Sequence, residues 1–294
     1  MKGSFSQFRA RYILLDALII FITYIVFAAI FIAVTGRSIK DIEKDQMFDI
    51  IFSIFIVVTI FWSILRRLKK SDIKIKFLMG NESIKNLPWL ELLIIFYGIE
   101  SLMRGISNIT IYFVNLIYPD STIQAIEKTQ NLYAYNQDFS VSNIFCYAVL
   151  IIYVIIIAPI IEEFVFRGVL LHRFAAKWGI NVSILLSTFL FGAIHANIYS
   201  IAIGISFIFI SLLYIKTKNL IITMIFHSMH NAIFLITLFI DCILKKQVNV
   251  GIDDLWVGIL YTAFSIPILL YFFKWPNRLD LLPYAANIES KHLK

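Results

Sequence analysis

Charged side chains occur at helical spacing inside apolar segments of this chain. The stretch PIIEEFVFRG, residues 159–168, places Glu162, Glu163 and Arg167 among Ile, Phe and Val. Ionised groups are costly within a membrane and normally face one another or a water-filled cavity. A carboxyl group in such surroundings can act as a general base for water. The stretch therefore suggests hydrolytic chemistry, and the alternative is that all three residues lie at the membrane surface.

The spacing separates the roles of these three residues. Glu163 and Arg167 stand at i and i+4, the favourable order for an ion pair on a helix. Glu162 is rotated by about 100° from Glu163 around the helix axis and lacks that partner. We therefore expect Glu162 to be available for chemistry, while Glu163 and Arg167 support the wall of the site.

Imidazole and carboxamide groups occur in two further apolar segments. The string FLFGAIH ends in His195, which shares a helix face with Phe191. The string HSMHN places His227 and Asn231 at i and i+4, so both can point at one spot. Each signal is weak alone, because a single His in an apolar helix is more often a hydrogen-bonded core residue. For His230, one step round the helix, packing is the preferred interpretation.

Together these groups could hydrolyse an amide by direct attack of water. Glu162 would deprotonate the water, and His195 would position it or share its proton. His227 and Asn231 would stabilise the oxyanion of the tetrahedral intermediate. Glu with two His is also an accepted catalytic zinc set, although the chain lacks HExxH. Spacing alone does not decide between a bare glutamate and a metal ion.

Other ionisable residues receive structural interpretations. The i, i+4 spacing of Glu100 and Arg104 predicts a buried ion pair. Asp16 lies near one end of the first apolar run, where it can reach lipid headgroups. His172 and His292 fall in polar segments that are expected to be exposed.

The composition indicates a membrane protein. Sixty per cent of the 294 residues are hydrophobic, the mean hydropathy is +0.83 and only fifteen per cent are charged. Soluble domains contain roughly one quarter charged residues. The net charge of +7 would suggest nucleic acid in a soluble protein, but basic cytoplasmic loops explain it better here. We expect the lipid bilayer, and no nucleic acid, as a partner.

Apolar runs of helical length predict an all-α, polytopic membrane helix bundle with about eight transmembrane helices. The third run is expected to be tilted, or broken near Gly105. We expect a single membrane domain over residues 1–294. The runs cover residues 12–35, 47–65, 88–117, 142–161, 181–196, 199–215, 219–241 and 255–273.

Basic residues predict the orientation of the bundle. With a cytoplasmic N-terminus, the inside segments hold 18 Lys and Arg and the outside loops hold 6, which favours both termini in the cytoplasm. At a helical rise of about 1.5 Å per residue, Glu162 and His195 lie about 21–22 Å from the cytoplasmic helix ends. His227 and Asn231 lie about 12–18 Å from that side. Three separate helices are therefore expected to bring polar groups to a similar depth.

Taken in order, three motifs resemble those of one family. EEFVFRG matches EExxxR, FGAIH matches FxxxH, and HSMHN matches HxxxN. Over roughly residues 142–241, the chain resembles the CPBP or Abi family. That family includes CAAX prenyl endopeptidases and bacterial proteins of bacteriocin processing and self-immunity.

The resemblance implies a multi-pass intramembrane peptidase of the cell membrane, with its active site opening towards the cytoplasm. It implies that Glu162 is the catalytic acid or base, supported by Glu163 and Arg167. His195, His227 and Asn231 occupy the remaining family positions. The resemblance favours a glutamate mechanism without a cofactor, with zinc as the other possibility. The expected substrate is a membrane-associated peptide or protein, in bacteriocin or peptide processing or in self-immunity.

Two alternatives keep the bundle without peptidase activity. One is a non-catalytic membrane scaffold or regulator of a partner membrane protein. The other is a transporter that uses Glu and His as a proton relay. The chain shows no two matching hydrophobic halves with broken helices, which counts against the transporter.

Overall fold

The computed structural model describes Phe5, Phe8 and residues 11–36, 46–80, 87–133, 141–244 and 247–275. Within these ranges the regular structure is helical, so the predicted all-α fold is confirmed. The helix at residues 141–178 is continuous and we treat it as one element. The described residues form ten helices: α1 (Arg11–Thr35), α2 (Gln46–Lys70), α3 (Ile75–Met79), α4 (Trp89–Ile117), α5 (Pro119–Tyr133), α6 (141–178), α7 (Ile180–His195), α8 (Ser200–Thr217), α9 (Leu220–Ile243) and α10 (Ile252–Lys274).

Seven of these helices are long and apolar enough to cross a membrane, namely α1, α2, α4, α6, α8, α9 and α10. Helix α7 is also apolar but has only 16 residues. The predicted eight spans correspond to these seven and the shorter α7. The chain is thus a multi-pass membrane protein, and the predicted orientation of its termini stays a prediction.

The third apolar run forms one unbroken helix of 29 residues, so of the two alternatives the break near Gly105 does not occur. Gly105 instead lies where α4 packs closely against α10. A Cβ atom at Gly105 would come within 2.2 Å of Thr262 Oγ1 and 2.9 Å of the Gly258 carbonyl oxygen. Small residues let the backbones of membrane helices approach each other, and this glycine therefore serves packing rather than bending.

Helix α6 extends beyond the fourth apolar run and continues to Trp178, as the predicted depth of Glu162 requires. Two π-helical turns, Tyr153–Ile157 and Phe164–Leu170, interrupt its α-helical geometry. Glu162 lies in the short α-helical segment between them. π-Helical turns are rare in proteins, but those that do occur often lie at functional sites.

Pro159 explains the first π-helical turn. The N–H of Ala158 donates to the carbonyl oxygen of Tyr153, five residues earlier. The same pattern would pair the Val154 carbonyl oxygen with residue 159, which is a proline without an N–H. Within the helix backbone, the Val154 carbonyl is therefore left without a donor, so a donor from outside the helix is required.

One end of the bundle carries most of its basic residues, and we call it the basic end. It comprises the C-terminal ends of α2, α6, α8 and α10, the N-terminal ends of α4, α7 and α9, and the short helix α3. Tyr214 donates a hydrogen bond across this end to the Leu78 carbonyl oxygen, at 3.0 Å. A β-bridge joins Gly80 to Asn219 beside it. Fully buried apolar side chains fill this end, among them Ile64, Leu68, Leu78, Val169, Leu171, Ile215 and Leu220.

Polar contacts tie the helices together at the basic end. Asp16 of α1 accepts hydrogen bonds from Arg67 and Ser63 of α2, so it has protein partners in addition to any headgroup. Lys216 of α8 donates to the carbonyl oxygens of Phe273 and Trp275, at 3.2 and 2.9 Å. These carbonyls belong to the end of α10, where a cation is favourable.

Candidate active site

Glu162 and His227 meet inside the bundle. Glu162 projects from the middle of α6, and His227 from the first half of α9. Glu162 Oε2 lies 3.8 Å from His227 Nε2. The Glu162 side chain is 24% exposed, whereas that of His227 is 3% exposed. Two residues that the sequence places 65 positions apart are therefore neighbours, and the Glu162 side chain keeps some exposed surface.

Glu163 and Arg167 form the predicted ion pair, with Glu163 Oε1 3.0 Å from Arg167 Nη1. Both side chains are almost fully buried. The guanidinium lies between the rings of Phe191 and Phe207, 4.8 Å from each centroid. Arg167 Nη2 also donates to the Phe207 carbonyl oxygen at 3.2 Å. The pair is thus a buried structural unit, and it locks α6 against α7 and α8.

Glu163 also orients His227. His227 Nδ1 lies 3.1 Å from Glu163 Oε1. Because an ionised carboxylate only accepts hydrogen bonds, Nδ1 carries the proton. The rings of Phe191 and Phe207 hold the imidazole edge-on, at 5.6 and 5.0 Å between centroids. Nε2 of His227 is thereby left on the side of Glu162.

His195 is fixed in a similar way at the C-terminal end of α7. Its Nδ1 lies 2.8 Å from the Phe191 carbonyl oxygen, an acceptor that requires a proton on Nδ1. The two rings stack at 4.8 Å between centroids. The predicted shared face of His195 and Phe191 is therefore present, and Nε2 of His195 remains for other contacts.

Asn231 supplies the donor that the first π-helical turn requires. Its Nδ2 donates to the Val154 carbonyl oxygen at 2.8 Å. Since a carboxamide has two N–H groups on this nitrogen, one remains for another acceptor. Asn231 thus links α9 to α6 one helical turn after His227, and both Asn231 and Val154 line the same cavity.

These residues line one cavity of about 490 Å³. Glu162, His195, His227 and Asn231 all contribute to its wall. Glu163 and Arg167 are buried next to this wall and do not line the cavity, and their supporting role stays a prediction. The four candidates converge, and their catalytic roles stay predictions. Other polar residues of the wall are Glu100, Arg104, Ser107, Asn108, Thr129, Gln130, Asn197, His230, Thr237, Asp241, Gln247, Asn249 and Asp254.

A second carboxylate–imidazole pair in the same wall was not expected from the sequence. His230 Nδ1 lies 2.7 Å from Glu100 Oε2, so the interpretation of His230 as a packing residue is wrong. The predicted ion pair of Glu100 and Arg104 is present, at 2.9 Å, but the Arg104 side chain is partly exposed rather than buried. Arg104 Nη2 also reaches Thr237 Oγ1 at 3.5 Å. The sequence did carry one signal for this pair: His227 and His230 stand at i and i+3, so they lie on the same face of α9.

His172 is fully buried, so the prediction that it is an exposed residue is wrong. Its Nδ1 lies 3.0 Å from the Arg167 carbonyl oxygen, and its ring stacks on Phe5. The Nε2 atom of His172 lies 3.5 Å from the Tyr214 hydroxyl oxygen. The continuation of α6 to Trp178 carries His172 into the apolar layer of the basic end. His292 lies outside the described residues.

The donor groups give little support to the zinc alternative. In the ranges that the structure covers, no group of three or more His, Cys, Asp or Glu side chains is arranged to hold a metal ion. Glu162 and His227 approach each other, but a catalytic zinc site requires three protein ligands. We therefore derive no step through a metal.

The comparisons with known proteins agree with the position of this site. Residues 144–233 match the model of the family described as type II CAAX prenyl endopeptidase Rce1-like. The matched range contains α6 from its fourth residue, all of α7 and α8, and α9 beyond Asn231. No curated protein and no solved structure matches the chain. The resemblance seen in the motifs is confirmed over this range: residues 144–233 of this multi-pass membrane protein match the Rce1-like family, which supports a CAAX-protease type of family.

Proposed function

We propose that this protein is an intramembrane endopeptidase that hydrolyses a peptide bond with water activated by Glu162. The observation that carries the proposal is the pairing of Glu162 with His227 at 3.8 Å on the wall of the cavity. This separation is too long for a direct hydrogen bond but allows one water molecule to bond to both groups. Both side chains would then hold that water at the substrate carbonyl.

The proton transfers follow from the contacts of each group. Glu162 takes a proton from water as the water oxygen attacks the carbonyl carbon. Glu162 then returns the proton to the amide nitrogen as the C–N bond breaks. His195, whose Nδ1 is occupied by the Phe191 carbonyl oxygen, has only Nε2 with which to share the proton or position the water.

His227 and Asn231 are the proposed donors to the oxyanion. Asn231 has one N–H beyond the one that binds the Val154 carbonyl oxygen. His227 donates from Nε2 when the ring carries both protons, and the adjacent Glu163 carboxylate balances that charge. Donors held in place before the reaction stabilise the developing charge most effectively, and both side chains are anchored by a second contact.

The proposed substrate is a membrane-associated peptide or protein. The mechanism is of the glutamate type, without a cofactor, and zinc dependence is its alternative. Bacteriocin or peptide processing, or self-immunity, at the cell membrane is the role that the family resemblance suggests. The site lies within a bundle that has seven helices long and apolar enough to cross a membrane, which supports a substrate that is itself anchored in the bilayer.

The test compares Glu162→Gln with Glu127→Gln, a control on the exposed surface of α5. Both variants would be purified, reconstituted in liposomes and incubated with membrane proteins from the same cells, and new peptide termini would be identified by mass spectrometry. We expect Glu162→Gln to lose a factor of about 10²–10⁴ in cleavage rate, the usual contribution of a general base. Glu127→Gln should cleave normally. Equal activity of both variants would refute the mechanism.

Two further arms separate the alternatives. Chelator treatment that abolishes cleavage until zinc is restored would replace the glutamate mechanism by the zinc mechanism. If no new termini depend on the protein, and Glu162→Gln cells keep the phenotype of wild-type cells, the scaffold or regulator of a partner membrane protein becomes the better account.

A further inference from the structure

The cavity extends from Glu162 towards one end of the bundle. It is lined by α4 only from Glu100 onward, by α6 only up to Glu162, and by α9 only from His227 onward. Because α6 runs opposite to α4 and α9, these three limits place the cavity in the same half of the bundle, away from the basic end. Helix α5 and residues 247–250 complete its wall there.

Exposed polar side chains form the mouth of the cavity at this far end. Asn197, Gln247 and Asn249 line the cavity and are exposed to solvent. Asp254, in the first turn of α10, lies next to them in the wall and is partly exposed. The cavity therefore has a polar opening, which we call the mouth (Asn197, Gln247, Asn249 and Asp254).

The basic end, in contrast, is closed behind the site. Arg167 and His172 lie beyond Glu162 along α6 and have almost no exposed surface. Leu78, Tyr214 and Leu220 are fully buried beyond them. In the part of the chain that the structure describes, an apolar layer thus separates Glu162 from the basic end.

The two ends differ strongly in charge. Among the described residues, the mouth end carries Lys128 as its basic residue. The basic end carries Arg66, Arg67, Lys69, Lys70, Lys74, Lys76, Arg173, Lys177, Lys216, Lys218 and Lys274. Lys and Arg collect in the cytoplasmic loops of membrane proteins, so this asymmetry favours the basic end as the cytoplasmic one.

We infer that the cavity opens to the non-cytoplasmic face of the membrane, and that the substrate reaches Glu162 from that face. The part concerning the substrate rests on the proposed peptidase function. The inference runs against the cytoplasmic opening that the family resemblance implies. Its substrate is a membrane-anchored peptide or protein whose cleaved segment lies on the outer side of the bilayer.

Cysteine labelling tests the direction of opening. In a background with Cys146→Ala and Cys242→Ala, single cysteines would be placed at the mouth, as Asn249→Cys, and inside the cavity, as Asn108→Cys. Lys177→Cys, exposed at the basic end, is the matched control. Intact cells would be treated with a small membrane-impermeant thiol reagent, before and after permeabilisation.

We expect Asn249→Cys and Asn108→Cys to react in intact cells, and Lys177→Cys to react only after permeabilisation. The opposite pattern, or reaction of all three in intact cells, would overturn the inference. Reaction at Asn249→Cys without reaction at Asn108→Cys, before or after permeabilisation, would equally overturn it, because the mouth would then not lead into the cavity.

Labelling requires no catalysis, so its outcome is independent of the proposed function. The same cysteines introduced into Glu162→Gln should label identically. For the substrate, a bulky impermeant adduct at Asn249→Cys should block cleavage in intact cells, whereas the same reagent should leave the Lys177→Cys protein active. Cleavage that persists with Asn249→Cys fully modified would overturn entry through the mouth, even if the peptidase function itself holds.

Discussion

The buried pair of Glu163 and Arg167 allows a quantitative prediction, because the chain contains a matched pair with the same spacing. The two side chains are 0% and 1% exposed. In the pair of Glu100 and Arg104, also at i and i+4, the arginine side chain is 34% exposed. We compare Arg167→Met with Arg104→Met, two substitutions that remove the same charge from different surroundings.

Arg167→Met should cost about 3–5 kcal/mol of stability, the usual cost of breaking a buried ion pair by removing one partner. The substitution leaves the carboxylate of Glu163 buried next to His227. It also removes the donor to the Phe207 carbonyl oxygen and the cation between two aromatic rings. These losses place the expected value in the upper half of that range.

Arg104→Met should cost about 0–1 kcal/mol, because partly exposed ion pairs contribute little. Glu100 also keeps His230 as a partner at 2.7 Å. Reversible unfolding in mixed detergent micelles would measure both free energies. Equal losses for the two variants, or a smaller loss for Arg167→Met, would refute the argument that burial decides the strength of the pair.

Two packing predictions use the same unfolding measurement. Gly105→Ala should destabilise the bundle by about 1–3 kcal/mol, as overpacking usually does, because its Cβ would collide with Thr262 and the α10 backbone. Gly251→Ala is the control, with no atom within 4 Å of the added Cβ, and equal effects of the two substitutions would contradict the close approach of α4 and α10. Lys216→Met should cost about 1–3 kcal/mol by removing charge-assisted hydrogen bonds to the end of α10, and an unchanged stability would show that these bonds add nothing.

The helices that cross the membrane could be predicted because apolar length is a local signal. Helix α5 and the short α3 were missed, since both lie in stretches too polar to register as spans. The apolar run of α6 ends near residue 161 because Glu162, Glu163 and Arg167 interrupt it, although the predicted depth of Glu162 has the helix continue for about fifteen more residues. Only the folded structure shows that neighbouring helices satisfy these groups and allow the helix to continue.

The candidate site was predictable as far as its residues obey helical spacing. The pairing of Glu163 with Arg167 and the common face of His195 with Phe191 both follow from i, i+4 geometry. The contact of Glu100 with His230 joins residues 130 positions apart, and no local pattern carries that information. The contact of the Arg167 guanidinium with the Phe207 ring could not be predicted from spacing either, because the ring belongs to a different helix.

The proline-induced π-helical turn in α6 lets the helix hold an extra residue without redirecting the candidate general base. A π-helical turn accommodates one more residue than an α-helical turn of the same rise. Deleting one residue from Tyr153–Ile157 would therefore restore α-helical geometry there, while the segments before and after it keep their relative orientation. In a regular α-helix the same deletion would rotate everything before it by about 100° relative to Glu162. The turn thus preserves both the lipid-facing surface of the upstream half and the direction of the carboxylate.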